Sequence, residues 1–447
     1  MLTKVQLIQK YNIPGPRYTS YPPVPFWRGT PSESQWIGHI KTQYDPKQGL
    51  DLYVHVPFCE SLCYYCGCSR VITKNHSVEE GYVETLLKEW SLYKDKLGFG
   101  PLISSLHFGG GTPTFLSPEN LDRLIQGLTA NRTSSFIGSI EVDPRTCTVE
   151  HVRVLAKNQI KRASLGVQDF DETVQKAIHR DQSPEMVRNL VQTMKDHGIT
   201  SINFDLIYGL PKQTNESIER TIALVSEMRP DLIAFYSYAH LPERLKNQRL
   251  IKTEDLPSPE LKRELYETGK RLLGEKGYSD VGMDHFALPS SYLYQAKEHK
   301  NLHRNFMGYV DKKSSVLIGL GPTSISDSSV SFIQNAKDLK TYQGKIESGH
   351  LAIEKGHAHH ERDLLVQQVI QDLMCKDEVI LNNMGEIPYW KDIKDELNAY
   401  QEDGILKLTE DHIKLSELGK AFMRNVAMSF DFYLREQESS KNFSQTI

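Results

Sequence analysis

The sequence predicts an α/β fold built from successive strand–helix units, and two observations support this prediction. Short apolar runs recur between residues 51 and 238, and amphipathic stretches with helix-start signals separate them. The connections are short, so neighbouring strands should be parallel and joined by right-handed crossovers. With 447 residues, of which 39% are hydrophobic, the chain can bury a large core. Six strands would form an open sheet or a partial barrel, because a closed barrel of this type has eight units.

Six apolar runs are the predicted strands of this sheet. Each is rich in β-branched and aromatic residues and is bounded by polar or turn-forming residues. The runs are DLYVHVP (51–57), ISSLHF (103–108), IGSIEVD (137–143), KRASLGV (161–167), TSINFDLIYG (200–209) and DLIAFYSY (231–238). Because ligands bind at the carboxyl ends of parallel strands, we expect the functional side chains to follow these runs.

The stretches between the runs are the predicted helices. Ser117 and Ser183 each precede a proline, an arrangement that places an N-cap before a first-turn proline, and Gly198 stands where a helix should end. The predicted helices are SVEEGYVETLLKEWSLY, SPENLDRLIQGL, TVEHVRVLAKN, SPEMVRNLVQTMKDHG and TNESIERTIALVSEM.

The residues outside the repeat predict three further segments. Residues 1–50 are rich in proline and should form an extended wrap around the sheet of residues 51–290. Residues 291–355 should connect or complete that sheet. Residues 356–447 should form a mostly helical, winged-helix-like domain, in which RDLLVQQVIQDLMC is a helix and GILKLTEDHIKLSELGKAFMRNVAMSF is a small β-ribbon followed by a helix.

The composition excludes several classes of function. The 53 Lys and Arg residues and 57 Asp and Glu residues give a formal net charge of -4, so there is no basic field for binding nucleic acid. No run approaches the roughly 18 apolar residues of a membrane span. The N-terminus lacks the charged-then-apolar pattern of a signal peptide, and the expected location is therefore the cytoplasm.

Four cysteines lie within ten residues, in PFCESLCYYCGCSR, and predict a metal centre. At roughly 100° per residue, Cys59, Cys63 and Cys66 would cluster and Cys68 would point away. Three thiolates suit an iron–sulfur cluster with one iron open to a small molecule. The alternative is a zinc knot of four cysteines, but zinc sites usually use two separated cysteine pairs.

A glycine turn follows the second predicted strand, in HFGGGTP. Gly109, Gly110 and Gly111 lack a Cβ, so the backbone there can approach a ligand closely. In a parallel sheet this turn should lie beside the cysteine loop, since both follow the carboxyl ends of adjacent strands.

These motifs resemble the radical S-adenosylmethionine (SAM) superfamily, through C-x3-C-x2-C after a strand and GGGTP after the next. From about residue 14 to the C-terminal tail, the chain is similar to the oxygen-independent coproporphyrinogen III oxidase (coproporphyrinogen dehydrogenase) family. The similar segments are GPRYTSYP, YVHVPFCESLCYYCGC, HFGGGTPTFL, EVDPR, LGVQDF, DLIYGLPKQT, YAHLP, GMDHFA and LHRNF. The resemblance implies a partial (β/α)6 TIM-like barrel with an N-terminal wrap and a mostly helical C-terminal domain.

The resemblance also implies the cofactors and their ligands. Cys59, Cys63 and Cys66 would hold a [4Fe–4S] cluster, which would bind SAM and reduce it to release a 5′-deoxyadenosyl radical. Cys68 would be a catalytic cysteine that does not ligate the cluster. Two SAM molecules are expected. The residues that match the first site are Tyr53, Gly110, Glu141 and Ile325, and those that match the second are Tyr65, Gly111, Thr112, Gln168, Arg180, Asp205 and Ala239.

Two of these residues have structural alternatives. Asp205 lies in the apolar run INFDLIYGL and needs a partner, which would be a ribose, a cationic ligand or a structural salt bridge. Arg180 would bind a carboxylate bidentately, or would be a solvated arginine at a helix end.

The implied substrate is coproporphyrinogen III, two of whose propionates would be oxidatively decarboxylated to vinyl groups, giving protoporphyrinogen IX in haem biosynthesis. Its four carboxylates require cationic groups, for which Arg17, Arg304, His285 and His303 are candidates. Residues 1–50 would act as a substrate lid. A flavodoxin or ferredoxin would donate electrons, and the absence of heptad runs favours a monomer.

Three alternative functions share some of these features. A radical SAM haem-degrading enzyme and a haem-binding chaperone would both use the same cysteine loop, although Cys68 and the long N-terminal wrap argue against the chaperone. A redox-sensing DNA-binding regulator would use the winged-helix-like tail, and the acidic charge balance argues against it.

Overall fold

A computed structural model of the chain describes residues 2–381, 387–436 and 443–446. Its strands are β1 (Leu50–Val56), β2 (Phe58–Cys59), β3 (Val71–Ile72), β4 (Ile103–Gly110), β5 (Arg132–Val142), β6 (Ile160–Gln168), β7 (Ser201–Tyr208), β8 (Leu232–Ser237), β9 (Ser279–Gly282), β10 (His285–Ala287), β11 (His303–Asn305), β12 (Gly308–Val310), β13 (Leu317–Leu320), β14 (Ile325–Asp327), β15 (Ser331–Asn335), β16 (Ile353–Ala358), β17 (Glu378–Ile380), β18 (Leu406–Leu408) and β19 (His412–Leu415). Its helices are α1 (Lys4–Tyr11), α2 (Glu33–Gln43), α3 (Val78–Leu97), α4 (Pro118–Leu128), α5 (Val149–Lys157), α6 (Glu172–Ala177), α7 (Pro184–Asp196), α8 (Asn215–Met228), α9 (Pro259–Glu275), α10 (Tyr292–Glu298), α11 (Leu339–Glu347), α12 (Glu361–Lys376), α13 (Trp390–Glu402), α14 (Met423–Ser429) and α15 (Phe432–Arg435). Within these ranges no helix combines the length and the apolar character needed to cross a membrane.

The six predicted strands are all present, and they pair in chain order. β1, β4, β5, β6, β7 and β8 lie side by side, and each is parallel to the next. Every residue of β1 is buried, as is usual for a central strand covered on both faces. Their carboxyl ends therefore meet at one edge, where the sequence predicts the functional residues.

The sheet extends beyond this parallel block on both sides. Its full order is β16-β15-β14-β13-β1-β4-β5-β6-β7-β8-β10-β9. β13 pairs parallel to β1, and β14, β15 and β16 continue the sheet in antiparallel fashion. On the far side, β10 pairs antiparallel to β8. Residues 291–355 thus contribute strands next to the first strand of the chain, an arrangement that local sequence patterns do not reveal.

The helix starts follow the predicted capping signals. The Ser117 and Ser183 side chains accept hydrogen bonds from backbone N–H groups in the first turns of α4 and α7. Gly198 follows the end of α7 with φ of +81°, a left-handed conformation that glycine adopts without strain.

The N-terminal segment is less extended than its proline content predicts. Residues 4–11 and 33–43 form the helices α1 and α2, each opened by a capping box, Thr3 with Gln6 and Ser32 with Gln35. The reciprocal side-chain hydrogen bonds satisfy backbone donors that would otherwise be unpaired, which offsets the effect of the nearby prolines. The predicted wrap is therefore wrong for these two stretches.

The C-terminal residues form a compact helical unit with a small sheet. The predicted helix is α12, and the predicted ribbon is β18–β19, which β17 extends to three antiparallel strands. This unit shares a hydrophobic core with Leu7 and Tyr18 of the N-terminal segment. The two ends of the chain also meet directly, because Pro14 and Gln445 form an antiparallel bridge.

Candidate active site

The cysteine loop leaves the carboxyl end of β1, as predicted. Within the loop, β2 pairs with β3, which closes the segment onto itself. Cys63 is buried, Cys59 and Cys66 are half-buried, and Cys68 is exposed. The loop is thus anchored to a rigid strand and holds its thiols at the edge of the sheet.

Donors from the neighbouring strand ends point at these thiols. The Thr112 hydroxyl donates to Cys59 Sγ at 3.2 Å, although burial still raises the pKa of Cys59 to about 11. Two guanidinium groups approach Cys63 Sγ, Arg180 at 3.5 Å and Arg145 at 3.7 Å. Hydrogen bonds and cations of this kind stabilise anionic sulfur, the form that binds iron.

The fourth cysteine contacts the third. The backbone N–H of Cys68 donates to Cys66 Sγ at 3.4 Å, and a hydrogen bond from the Cys68 thiol lowers the pKa of Cys66 to about 6. In the part of the chain that the structure describes, no three Cys, His, Asp or Glu side chains converge on a point that one metal ion could occupy. This finding gives the zinc-knot alternative no support. Three thiols supplied with donors fit the ligand set of an iron–sulfur cluster.

The glycine turn packs directly against the cysteine loop. A Cβ on Gly111 would lie 2.7 Å from the Pro57 carbonyl oxygen, and one on Gly110 would lie 2.7 Å from the His55 ring. Gly110 also has φ of +113°, which disfavours any other residue. Gly110 and Gly111 are thus required for close contact between the two loops. Both also line the adjoining cavity.

Glu141 lies near the carboxyl end of β5, and Tyr53 lies in the middle of β1. Glu141 accepts a hydrogen bond from the Gly110 N–H at 3.1 Å and lies 3.7 Å from His107 Nε2, and its side chain is 46% exposed. Tyr53 is buried and contacts His55 Nδ1 through its hydroxyl at 3.2 Å. The exposed carboxylate oxygen of Glu141 is available to an ammonium or hydroxyl group of a ligand.

Arg180 is buried and paired, so its interpretation as a solvated arginine at a helix end is wrong. It is 6% exposed, lies 3.2 Å from Asp143 and donates to the Gly166 carbonyl at 3.1 Å. Arg145 binds the same carboxylate at 2.7 Å. Burial raises the pKa of Asp143, but the two guanidinium groups outweigh it and lower the value to about 2. Asp143 therefore stays ionised and orients both arginines toward Cys63.

Asp205 on β7 lies in a polar cluster without a cation. Its carboxylate accepts hydrogen bonds from Ser164 at 2.8 Å and Asn203 at 2.9 Å. Burial raises its pKa to about 7. Among the described residues it has no ion-pair partner within 4.0 Å, which leaves the salt-bridge alternative without support and leaves the carboxylate able to bind a ligand.

Most of the predicted site residues surround one cavity of ≈ 580 Å³ at the carboxyl edge of the sheet. Those that line it are Cys59, Cys63, Tyr65, Cys66, Cys68, Gly110, Gly111, Thr112, Glu141, Gln168, Arg180 and Asp205. Tyr53, Ala239 and Ile325 lie outside this lining. Ala239 accepts a hydrogen bond through its carbonyl from Gln248 at 3.1 Å, and Ile325 lies on β14.

The predicted substrate-binding residues lie in this cavity or next to it. His285 lines the cavity itself, whereas Arg304 and His303 line a second cavity of ≈ 340 Å³. The two cavities share Asp311 and Lys312 in their linings, so they are adjacent. Arg17 lies 3.2 Å from Asp284, the residue that precedes His285.

Two amide side chains that the sequence analysis missed fix the backbone of the cysteine loop. Asn247 donates through its side-chain nitrogen to the carbonyls of Tyr64 at 2.8 Å and Cys66 at 3.0 Å. Gln248 donates to the Tyr65 carbonyl at 2.9 Å. Both belong to a 3-10 turn, Lys246–Leu250, far from the loop in sequence. No local motif announces them, because their partners are backbone atoms.

We expect Asn247→Asp to impair cluster assembly without unfolding the protein. Aspartate cannot donate to the loop carbonyls, and each buried carbonyl left unpaired costs about 1–3 kcal/mol. Iron bound per chain after anaerobic reconstitution should fall relative to the parent protein. The matched control is Asn131→Asp, whose amide donates to the Gly100 and Pro101 carbonyls at 2.7 and 3.2 Å. Equal iron content in both variants would contradict this role for Asn247.

Comparisons with known proteins agree with this geometry. Residues 53–225 match the family model of the radical SAM superfamily. The chain is 39% identical to an oxygen-independent coproporphyrinogen III oxidase from Helicobacter pylori, covering 98% of each chain. It is 36% identical to the enzyme of that name from Escherichia coli, covering 99% of this chain and 98% of the relative.

A solved structure has the same fold over almost the whole chain. The radical SAM coproporphyrinogen III oxidase of Escherichia coli superposes with a TM-score of 0.89 at 34% identity, covering 96% of this chain and 99% of the other. Sequence similarity and fold therefore agree from one end of the chain to the other. The chain belongs to the oxygen-independent coproporphyrinogen III oxidase family of the radical SAM superfamily.

Proposed function

We propose that the protein oxidatively decarboxylates two propionate side chains of coproporphyrinogen III to vinyl groups and so forms protoporphyrinogen IX without oxygen. The observation that carries this proposal is the cavity that joins the cysteine loop to an aromatic wall, with Arg304 and His303 in the adjoining cavity. One end offers thiols for a cluster, and the other offers groups for an anionic macrocycle. The family membership of the chain supports the same reaction.

We assign the cofactors to this cavity as follows. Cys59, Cys63 and Cys66 hold a [4Fe–4S] cluster, which with bound SAM supplies the radical chemistry. Cys68 is a catalytic thiol. Arg145 and Arg180 hold positive charge beside Cys63.

We further propose two SAM sites within the same cavity. Glu141 and Gly110, with Tyr53 and Ile325 behind them, serve the first site. The second site is served by Arg180 together with Tyr65, Gly111, Thr112, Gln168, Asp205 and Ala239. The division is supported by the separation of the polar groups, since Glu141 ends β5 whereas Asp205 lies on β7. In this proposal β1 and β4–β8 form the partial (β/α)6 barrel around both sites.

The remaining assignments concern the segments around the cavity and the partners of the enzyme. Residues 1–50 cover the substrate, residues 51–290 form the barrel, residues 291–355 complete it, and residues 356–447 form the helical domain. The protein acts as a monomer and takes electrons from a flavodoxin or ferredoxin.

The test is anaerobic reconstitution followed by incubation with reductant, SAM and coproporphyrinogen III. The expected products are CO2 and a divinyl porphyrinogen, identified by mass after oxidation. A linear tetrapyrrole formed from haem would instead identify a haem-degrading enzyme. Tight haem binding without decarboxylation would identify a chaperone, and either result would refute the proposal.

A further inference from the structure

A buried arginine lies between the large cavity and its neighbour. Arg304 on β11 is paired in register with Tyr309 on β12, and its guanidinium carbon lies 4.7 Å from the centre of the Tyr309 ring. Tyr309 lines the large cavity, whereas Arg304 lines the second one. The β11–β12 hairpin thus contributes to both cavities.

The Arg304 guanidinium is buried without a counter-ion. The residue is 5% exposed, and its Nε and Nη1 atoms have no hydrogen-bond partner among the described residues. Its backbone is fixed, because the Gln371 side chain accepts from the Arg304 N–H at 3.2 Å and donates to its carbonyl at 2.6 Å. A buried cation without a partner is costly, so its retention in a fixed position indicates an absent anion.

His285, which lines the large cavity, also has a ring nitrogen left unpaired by the described residues. His285 Nδ1 has no partner within the described ranges, whereas Nε2 lies 3.4 Å from the Tyr236 hydroxyl. The His285 ring meets the Tyr309 ring edge-on with 5.2 Å between their centres. Burial, together with Arg304 and Arg17, lowers the pKa of His285 to about 3. The ring is therefore neutral and adds no charge beside the guanidinium groups.

The surrounding charges do not neutralise Arg304. Arg17 is the partner of Asp284 at 3.2 Å, so that carboxylate is already used. Arg424 is also buried and is close enough to Arg304 for the two guanidinium groups to repel each other. Its own hydrogen bonds go to the backbone carbonyls of Gly15, Pro16 and Gln445. Arg17 and Arg424 therefore add positive charge near Arg304, and Asp284 is already paired with Arg17.

In the described part of the chain, three carboxylates line the second cavity together with Arg304, and none of them forms an ion pair with it within 4.0 Å. Asp311 lies 2.7 Å from Arg162 and Asp372 lies 2.7 Å from Lys376, whereas Asp327 accepts from the Ser329 N–H at 2.7 Å. A carboxylate brought by a ligand would be the missing anion, and guanidinium binds carboxylate with matching geometry.

We propose that Arg304 forms a subsite that anchors one propionate carboxylate of the tetrapyrrole substrate, in the cavity adjoining the one that His285 lines. This inference rests on the proposed function and names a residue that holds the substrate. The subsite lies next to the cavity that contains the thiols, so the macrocycle would span from the anchor to the reacting end. A propionate held by a buried guanidinium stays ionised and in place, which suits an anchor.

The test compares binding of coproporphyrinogen III to the reconstituted holoenzyme and its variants under anaerobic conditions. Bound ligand is measured after oxidation to the fluorescent porphyrin. We expect Arg304→Met to weaken binding about 30-fold or more, as for loss of one partner of a buried charge pair, and Arg304→Lys to weaken it less. The control is Arg132→Met. Arg132 is the first residue of β5, at the amino end of the strand and away from the edge that holds the cavity, so this variant should bind like the parent protein.

A ligand without charge makes the test specific. The tetra-amide of coproporphyrinogen should bind the parent protein weakly and should lose little further affinity in Arg304→Met. An equal loss for both ligands would mean general damage to the fold and would overturn the subsite. Iron content and SAM binding should match the parent in every variant. Weaker SAM binding in Arg304→Met would assign the arginine to the SAM carboxylate and would also overturn the proposal.

The outcome separates this inference from the proposed function. If the parent protein decarboxylates coproporphyrinogen III and Arg304→Met binds it equally well, the subsite is wrong and the function stands. If the parent protein neither binds nor converts the substrate, both are wrong.

Discussion

Replacing Cys63 by serine should abolish iron incorporation and, with it, all turnover. Cys63 is the buried thiol of the loop, and both Arg145 and Arg180 donate toward its sulfur. A serine hydroxyl stays protonated near neutral pH and is a poor ligand for iron, so the two guanidinium groups would face a neutral oxygen. The measurement is iron and sulfide bound per chain after anaerobic reconstitution, followed by the decarboxylation assay.

The control for this variant is Cys147→Ser. Cys147 lies outside the loop and packs against the main hydrophobic core as a half-buried residue. It should retain the iron content and activity of the parent protein. Cys59→Ser and Cys66→Ser should behave like Cys63→Ser. Full iron content in Cys63→Ser would show that this residue is not a ligand.

Cys68→Ser should give the opposite combination, with iron retained and turnover reduced about 100-fold or more, as for loss of a residue that transfers a proton. Cys68 is exposed, lines the cavity and contacts Cys66, whereas Thr112 and the two arginines serve Cys59 and Cys63. A thiol exchanges a proton far more readily than an alcohol does. Serine would therefore preserve the shape of the loop and lose that reactivity.

The same two assays test this prediction, with SAM cleavage measured in addition. Cleavage of SAM should continue in Cys68→Ser while product fails to accumulate. Loss of iron from this variant would mean that the loop uses all four thiols, and the division into three ligands and one free thiol would be wrong. Wild-type turnover would remove Cys68 from the chemistry.

The central part of the fold could be predicted because its signals are local. The six strands are continuous apolar runs, and Ser117 and Ser183 mark helix starts within one turn of the chain. The capping boxes at Thr3 and Ser32 were equally visible, but the prolines between them favoured an extended interpretation. The pairing of β13 with β1 joins segments far apart in sequence, so no local pattern indicates it.

The candidate site divides in the same way. The thiols and the glycine turn form contiguous motifs, and the cavity brings them together. The pairing of Asp143 with Arg180 was missed, because its members come from different loops. Asn247 was missed for another reason, since it binds carbonyl oxygens that every residue has. Contacts of these two kinds become visible only when the chain is folded.

The bridge between Pro14 and Gln445 has a practical consequence for work with this enzyme. Arg424 reinforces it by bonding to Gly15 and Pro16 on one side and to Gln445 on the other. A truncation or bulky tag at the carboxyl terminus would therefore disturb the stretch that holds Arg17 near the substrate wall. Poor turnover in a protein altered at the carboxyl terminus would then reflect a disturbed amino-terminal segment. Purification tags need to be placed with this coupling in mind.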